Sequence, residues 1–346
     1  MRIPYYIYII TYLIFGLPVS YFVLTLEPYS GDLTRVGAFS ENDYGWNAPQ
    51  KVFSSSEVVV GKNISDYNRY YYIFVVGDSF SAIPENNACN WQDFLLRTTS
   101  ANLISYHQNN IDIHQLTESK FFKEYPPKFF IYEAAEHGVQ DILHGYEQFS
   151  SKENSSVEIQ CIREKYVPYA MGAYYRAKEN LLTFDTAIHY IKINVKNNFS
   201  SKRKSTVYPL NKKCFSSLKG DYLLAYYGDL KKLAVGKNEW GIISKRFRGL
   251  KNLIETNNCT NFILMIAPDK STIYKHYIDG EHPFICAMDQ LDLQKVTYIN
   301  LKHVLQTKVA EGILDVYLPN DTHWGYAGHQ VAAQQISNYI CEIITP

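Results

Sequence analysis

The sequence has no surplus of charge of either sign, because Lys+Arg and Asp+Glu both total 34 among its 346 residues. Proteins that bind nucleic acid through the phosphate backbone carry a positive surplus or a basic face. We therefore expect no nucleic-acid partner. Apolar residues make up 46% of the chain, which is enough for a sizeable core and argues against wholesale disorder.

The sequence also lacks the cysteine spacing of a zinc site. No CxxC pair occurs, and the six cysteines are widely separated: Cys89, Cys161, Cys214, Cys259, Cys286 and Cys341. An even number permits disulfides in an exported protein, but the spacing does not give their pairing. We expect neither a metal nor another cofactor.

Charged residues are missing from the run Ile3 to Leu26, which Glu27 ends. At about 1.5 Å per helical residue this run reaches roughly 36 Å, more than the ~30 Å of a hydrocarbon core. No A-x-A-like cleavage site follows it. The pattern predicts a membrane-spanning signal anchor over residues 1–26. Arg2 before the run favours an extracytoplasmic location for the rest of the chain.

Short apolar runs alternate with helix-like stretches after residue 70. The expected strands are Tyr71–Val76, Asn102–Ser105, Lys128–Tyr132, Asn261–Ile266 and Val296–Ile299. The expected helices are Trp91–Arg97, His114–Lys123, Val139–Gln148, Glu239–Glu255, Lys270–Tyr277, Leu301–Val309 and Tyr326–Ile340. Apolar strands between helices are typical of a parallel sheet covered on both faces. We expect an α/β, flavodoxin-like three-layer fold with a five-stranded parallel sheet.

Two segments interrupt this rhythm. Residues 27–69 are rich in Ser, Asn, Gly and Asp and are interpreted as a stem between the anchor and a domain at 70–346. Residues 150–238 are interpreted as an insertion into that domain. Within the insertion, an amphipathic pattern from Tyr169 to Ile193 predicts a helix.

The stretch "YYIFVVGDSF" ends the first expected strand at Gly77-Asp78-Ser79. Catalytic groups of open parallel sheets gather beyond the carboxyl ends of the strands, where Ser79 would lie. The backbone N–H of Ser79 is one candidate oxyanion donor. A serine hydroxyl is a poor nucleophile without a base, so this hypothesis requires a partner elsewhere in the chain.

The stretch "NDTHWGYAGHQVAAQQI" near the C-terminus supplies that partner. Asp321 and His323 are separated by one residue, directly before the last expected helix. This spacing lets the carboxylate hold one imidazole nitrogen while the other faces a serine. Trp324, the next residue, is a candidate wall of the cleft.

The blocks "VVGDSF" and "DTHWGYAGHQVAAQQI" together resemble the SGNH (GDSL-like) hydrolase superfamily. The D-x-H-W form with an N-terminal anchor is most similar to the branch of alginate and other polysaccharide O-acetyltransferases. Two further stretches, "PPKFFIYEAAEHG" and "FILMIAPDKSTIY", resemble the same branch. The resemblance implies that Ser79 is the nucleophile, His323 the base and Asp321 the residue that orients it.

The chain departs from this resemblance in three places. The serine block precedes the D-x-H-W block, as in ordinary SGNH esterases and unlike the alginate enzymes. The second block, "ANLISYHQ", lacks the usual glycine, and "EAAEHG" stands where an asparagine donor is usual. The candidates for the remaining oxyanion and substrate-binding residues are therefore Asp78, His137, Trp324 and Lys270.

These features favour a membrane-anchored enzyme that transfers an acyl group, acetyl above all, to hydroxyls of an exported or cell-surface polysaccharide. By the resemblance, the acyl donor is supplied by a multi-spanning membrane acyltransferase. A carbohydrate or lipid esterase would use the same catalytic residues. A glycan-binding scaffold without turnover is the third hypothesis, since two oxyanion donors of the superfamily are missing.

Overall fold

The computed structural model describes residues 3–17, 20, 31–82, 89–99, 101–149, 173–176 and 203–344. Its centre is a six-stranded sheet with the order β10-β9-β5-β3-β4-β2. The strands of this sheet are β2 (Val59–Gly61), β3 (Ile73–Gly77), β4 (Leu103–His107), β5 (Phe129–Ala135), β9 (Asn261–Ala267) and β10 (Tyr298–Ile299). Every neighbouring pair is parallel, so all six carboxyl ends lie at one edge.

The five predicted strands all form, and their order matches the flavodoxin-like arrangement. The prediction of five strands is wrong in number, because β2 adds a sixth at one side. This strand is only three residues long, so its alternation was too short to indicate a strand. It belongs to the residues predicted as a stem.

Both faces of the sheet are buried. Successive side chains of a strand point to opposite faces, so each strand contributes to two separate cores. Ile73 and Val75 of β3 belong to one core cluster, and Phe74 and Val76 belong to the other. The first cluster is covered by α4 (Trp91–Thr99), α8 (Lys270–Tyr274), α9 (Leu301–Ala310) and α10 (Tyr326–Ile344). The second is covered by α5 (Ile113–Glu118), α6 (Lys120–Glu124) and α7 (Lys237–Ile254). The three-layer arrangement is therefore confirmed.

The predicted helix His114–Lys123 is divided at Ser119 into α5 and α6. The predicted helix Val139–Gln148 does not form, because its residues lie in two separate 3₁₀ segments, Glu136–Asp141 and Tyr146–Gln148, and in the turn between them. Gly145 between them has a φ of 89°, a left-handed conformation that ends a helix. Further 3₁₀ segments are Ile64–Asp66, Gln108–Asn110, Tyr227–Ala234, Glu255–Asn257, Lys275–Tyr277 and Ala287–Asp289.

The predicted insertion supplies short antiparallel strands. The strand β6 (Ala173–Arg176) pairs with β1 (Gln50–Phe53), and β7 (Ser205–Pro209) pairs with β8 (Tyr222–Tyr226). The helix predicted from Tyr169 to Ile193 is contradicted at residues 173–176, which are β6. The rest of that prediction lies outside the described residues.

The N-terminal segment begins with α1 (Ile3–Thr11), continued by a π-helical turn at Tyr12–Gly16. In the described ranges, no helix combines the length and apolar character that crossing a bilayer requires. The predicted anchor extends to Leu26, and part of it lies outside those ranges. After it come two short helices, α2 (Asp32–Gly37) and α3 (Glu41–Tyr44).

Candidate functional site

Ser79 lies in a tight turn directly after β3, and it is exposed. The carboxylate of Asp78 shapes this turn, because its Oδ1 accepts from the Phe80 N–H at 3.0 Å. Its Oδ2 accepts from the Ala135 N–H at the end of β5 at 2.6 Å. Asp78 therefore ties the Ser79 turn to the neighbouring strand, and its oxygens are engaged by backbone donors. This leaves it a structural role in the turn.

Gly77 allows a buried carboxyl to approach the turn. A Cβ at this position would lie 2.6 Å from Oε2 of Glu133 and 2.4 Å from Oγ of Ser81. The same Oε2 accepts from the Asp78 N–H at 3.0 Å and from the Ser81 hydroxyl at 2.8 Å. Burial, and next the charge of Asp78, raise the pKa of Glu133 well above its ordinary value. Glu133 therefore accepts two hydrogen bonds that fix the start of the turn.

Asp321 and His323 form the expected pair. Nδ1 of His323 lies 2.6 Å from Oδ1 of Asp321, and the His323 N–H donates to the same oxygen at 3.0 Å. Burial opposes charge on the imidazole, but the hydrogen bond and charge of Asp321 raise the pKa of His323 above its ordinary value. Because Asp321 occupies Nδ1, Nε2 is the nitrogen that remains for a substrate or a serine.

The residues on both sides of Ser79 face His323. The ring of Phe80 lies 4.9 Å from the imidazole, centroid to centroid. The negative charge of Asp78 contributes to the raised pKa of His323. The chain therefore brings the two distant motifs together at the carboxyl edge of the sheet.

The described part of the chain contains no hydrogen bond between the Ser79 hydroxyl and His323, although the sequence analysis expects one. Such bonds are often long in unliganded sites and tighten when substrate binds.

Lys270 holds the loop that carries the dyad. It is 3% exposed, and its Nζ donates to the carbonyl oxygens of Leu318, Pro319 and Asp321 at 2.8, 2.7 and 3.3 Å. Burial lowers the pKa of Lys270 to about 7. Because its Nζ donates to three backbone carbonyls of the loop, Lys270 is a positioning residue for Asp321 and His323. Its contact with a substrate carboxylate stays a prediction.

The same loop is held by the N-terminus of α2, within the predicted stem. The N–H groups of Leu33 and Thr34 donate to the Asn320 carbonyl at 3.0 and 3.4 Å. The Asp32 N–H donates to Oδ2 of Asp321 at 3.2 Å. Both carboxylate oxygens of Asp321 are thereby engaged, one by the helix terminus and one by the histidine.

Asp32 also places a second carboxylate near the base. Its Oδ2 lies 3.8 Å from Nδ1 of His323 and is among the charges that raise the pKa of that imidazole. Arg35 pairs with the other oxygen of Asp32. The contact of Asp32 with His323 was not predicted from the sequence, because the stretch "SGDLTR" contains no signal that connects it with residue 323.

Trp324 supports the dyad from within the core. It is 2% exposed, and its ring lies 4.8 Å from Phe80 and 5.5 Å from the imidazole of His329. Trp324 therefore packs within the core against Phe80 and His329, and its role as a wall of the cleft stays a prediction. His329 in turn accepts from the Trp91 N–H at 3.2 Å.

A second histidine–carboxylate pair lies beside the first. Nδ1 of His137, after β5, is 2.6 Å from Oδ1 of Asp269, after β9. His137 shares a small cavity of about 10 Å³ with Phe80 and Thr322. The position of Asp269, two residues beyond an apolar strand, is a signal that could have found it.

Two groups of described residues bring three metal-capable atoms within 4.8 Å of one another. They are Asp32, Asp321 and His323, and then His137, Asp229 and Asp269. In each group the histidine Nδ1 is already hydrogen-bonded to a carboxylate. We interpret the histidine and its carboxylate partner in each group as an acid–base pair.

Comparison of the chain with protein-family models, with curated proteins and with solved structures returned no match.

Proposed function

We propose that this protein is a membrane-anchored, extracytoplasmic acyltransferase of the SGNH type, which modifies hydroxyls of an exported or cell-surface polysaccharide. The observation that carries the proposal is the contact between His323, backed by Asp321, and the residue that follows Ser79. Serine, imidazole and carboxylate at one edge of a parallel sheet are the parts that acyl transfer requires.

The chemistry assigns one role to each member of the triad. The Ser79 Oγ attacks the carbonyl carbon of the acyl donor and gives its proton to Nε2 of His323, while the carbonyl π electrons move to oxygen. When the C=O bond re-forms, the bond to the leaving group breaks and the leaving group takes the proton from His323. An acceptor hydroxyl then repeats these steps on the acyl-serine and releases Ser79. Asp321 stabilises the imidazolium throughout.

An exposed aromatic side chain near His137 supports a sugar acceptor. Tyr227 is 64% exposed and follows Tyr226, whose ring lies 5.7 Å from His137. An exposed phenol combines an apolar face with a polar tip, as a sugar-binding surface requires.

Hydrolysis is the second candidate function, and the exposure of Ser79 favours it. An acyl-serine open to water would give free acid, which describes an esterase with the same residues. A transferase of this location needs an acyl donor, and we propose a multi-spanning membrane acyltransferase for that role.

The test is to treat the purified full-length chain with a serine-reactive 4-nitrophenyl phosphonate and to locate the adduct by mass spectrometry. We expect labelling at Ser79 that is lost in Ser79→Ala and in His323→Ala and retained in the control His144→Ala, which changes an exposed histidine. A folded protein that is not labelled at Ser79 would contradict the proposal and favour the scaffold.

Transfer and hydrolysis are separated by the fate of the acyl group. The enzyme is given 4-nitrophenyl acetate with and without oligosaccharide acceptors, and acetate and acetylated sugar are quantified. Acetylated sugar formed faster than free acetate supports transfer. Acetate alone, at a rate that no acceptor changes, supports the esterase.

A further inference from the structure

The pair of His137 and Asp269 is tied to a buried ionic network that the Ser79 triad does not use. Lys232 is 1% exposed, and its Nζ donates to Oε1 of Glu136 at 2.7 Å and to Oδ2 of Asp269 at 2.6 Å. Glu136 also accepts from the N–H groups of Asp269 and Ala287, both at 2.7 Å. Every carboxylate oxygen in this network is therefore engaged.

The network fixes the direction of one imidazole. Because Lys232 holds Oδ2 of Asp269, the other oxygen is left for His137, which contacts it with both Nδ1 at 2.6 Å and its backbone N–H at 3.3 Å. The His137 side chain is 25% exposed, whereas Asp269 is 2% exposed. In the described ranges no hydrogen bond engages Nε2 of His137, so this nitrogen is the one available to a ligand.

His137 lies close to the Ser79 turn. It comes two residues after Ala135, whose N–H binds Oδ2 of Asp78, the neighbour of Ser79. It also lines the small cavity together with Phe80, the other neighbour of Ser79. His137 is therefore placed beside the two residues that flank Ser79.

We propose that His137 is a catalytic residue whose Nε2–H donates a charged hydrogen bond to the carbonyl oxygen of the acyl group at Ser79. This inference rests on the proposed function. In the attack step the π electrons of the carbonyl move to its oxygen, and the imidazolium stabilises the resulting oxyanion without giving up its proton. When the C=O bond re-forms, the charge leaves this oxygen again. The second donor of the oxyanion site is the Ser79 N–H.

The surroundings of His137 keep it protonated at neutral pH. Burial opposes the charge, but Asp269, followed by Asp229 and Asp78, raises the pKa of His137 to about 9. The titratable and charged groups that face it are Asp269, Asp229, Asp78, Tyr226, Lys270 and, through Asp269, Lys232. The donor is therefore lost only as the pH rises through about 9.

The experiment measures 4-nitrophenyl acetate turnover and Ser79 phosphonylation from pH 6 to pH 10 in the full-length chain. The variants are His137→Gln, which keeps a neutral donor, His137→Ala, and the control His144→Gln. We expect His137→Ala to lower kcat about 100-fold with little change in KM, because the oxyanion exists only in the transition state and the intermediate. His137→Gln should lower kcat by a smaller factor. Its kcat should also not decline near pH 9, as that of the wild type should.

The outcomes distinguish a failure of the proposed function from a failure of the role proposed for His137. Absence of Ser79 labelling in the wild type contradicts the proposed function itself. Labelling of the wild type, combined with a His137→Gln variant that keeps wild-type kcat and the alkaline decline, overturns the role of His137 and leaves the proposed function intact. A rise of KM at unchanged kcat also overturns it, since that pattern indicates ground-state binding. If His137→Ala does not fold, His137→Gln carries the test.

Discussion

The backbone N–H of Asp32 donates to Oδ2 of Asp321 at 3.2 Å, across a sequence separation of 289 residues. The Asp32 carboxylate lies 3.8 Å from Nδ1 of His323. A segment that the sequence analysis interpreted as a stem therefore contributes to the electrostatics of the candidate base.

The charge of Asp32 should influence how the rate of Ser79 phosphonylation depends on pH. His323 acts as a base only when neutral, so the rate of Ser79 phosphonylation should rise as the pH increases through its raised pKa. Asp32→Asn removes one negative charge and should move this rise to lower pH by about one unit or less. The measurement is the inactivation rate between pH 5 and pH 8. The exposed Asp279→Asn is the control, and an Asp32→Asn curve that coincides with the wild type would show that the carboxylate does not act on His323.

The shape of the contact depends on Gly31, the residue before α2. A Cβ there would lie 2.0 Å from the backbone oxygen of Asn320. Gly31→Ala should push α2 off the catalytic loop, lower the free energy of unfolding by about 1–3 kcal/mol and slow Ser79 phosphonylation. Gly241→Ala is the matched control, because Gly241 is an exposed position of α7 and no atom outside its own stretch of helix backbone lies within 4 Å of the added Cβ. If the two variants have equal stability and equal rates of Ser79 phosphonylation, the N-terminus of α2 does not hold the loop that carries Asp321 and His323.

Much of the fold could be predicted from the sequence because its signals are local. Four of the predicted strands, β3, β4, β5 and β9, are five to seven residues long and are buried on both faces. The D-x-H spacing predicts the contact between Asp321 and Nδ1 of His323. The turn after β3 presents Ser79 at the edge that parallel topology predicts. These are properties of short stretches, and they were confirmed.

The parts that could not be predicted depend on contacts between distant segments. Lys232 lies in a polar stretch, "GDLKKLA", that suggests an exposed side chain. It is nevertheless buried, because Glu136 and Asp269, which belong to distant parts of the chain, balance its charge. The sequence likewise does not reveal that Lys270 donates to the backbone carbonyls of Leu318 and Pro319. Single-sequence patterns give the type of a charged residue and not its partner, so such roles become visible only in three dimensions.

The buried Lys232 should be costly to remove. Lys232→Met leaves Glu136 and Asp269 without their shared cation, and we expect a loss of about 3–5 kcal/mol in the free energy of unfolding by urea. The neighbouring Lys231→Met removes an exposed pair with Asp141 at 3.5 Å and should cost less than about 1 kcal/mol. Similar losses for the two variants would contradict the network. Adding Glu136→Gln to Lys232→Met should recover part of the stability, since it removes one of the unpaired charges.

His329 should make the protein sensitive to mild acid. Burial lowers the pKa of His329 to about 3, so the folded state keeps it neutral while the unfolded chain protonates it near its ordinary value of 6.5. The unfolded state then binds more protons below pH 6.5, and the free energy of unfolding should fall by up to about 1.4 kcal/mol per pH unit between pH 6.5 and pH 3.

The variant His329→Asn keeps an acceptor near the Trp91 N–H but does not titrate. It should give a flatter dependence of unfolding free energy on pH between 6 and 4, whatever its stability at pH 7.5. The exposed His303→Asn on α9 is the control and should keep the wild-type slope. Urea unfolding at pH 7.5, 6, 5 and 4 provides the measurement, and parallel curves for His329→Asn and the wild type would mean that His329 is already protonated in the folded protein.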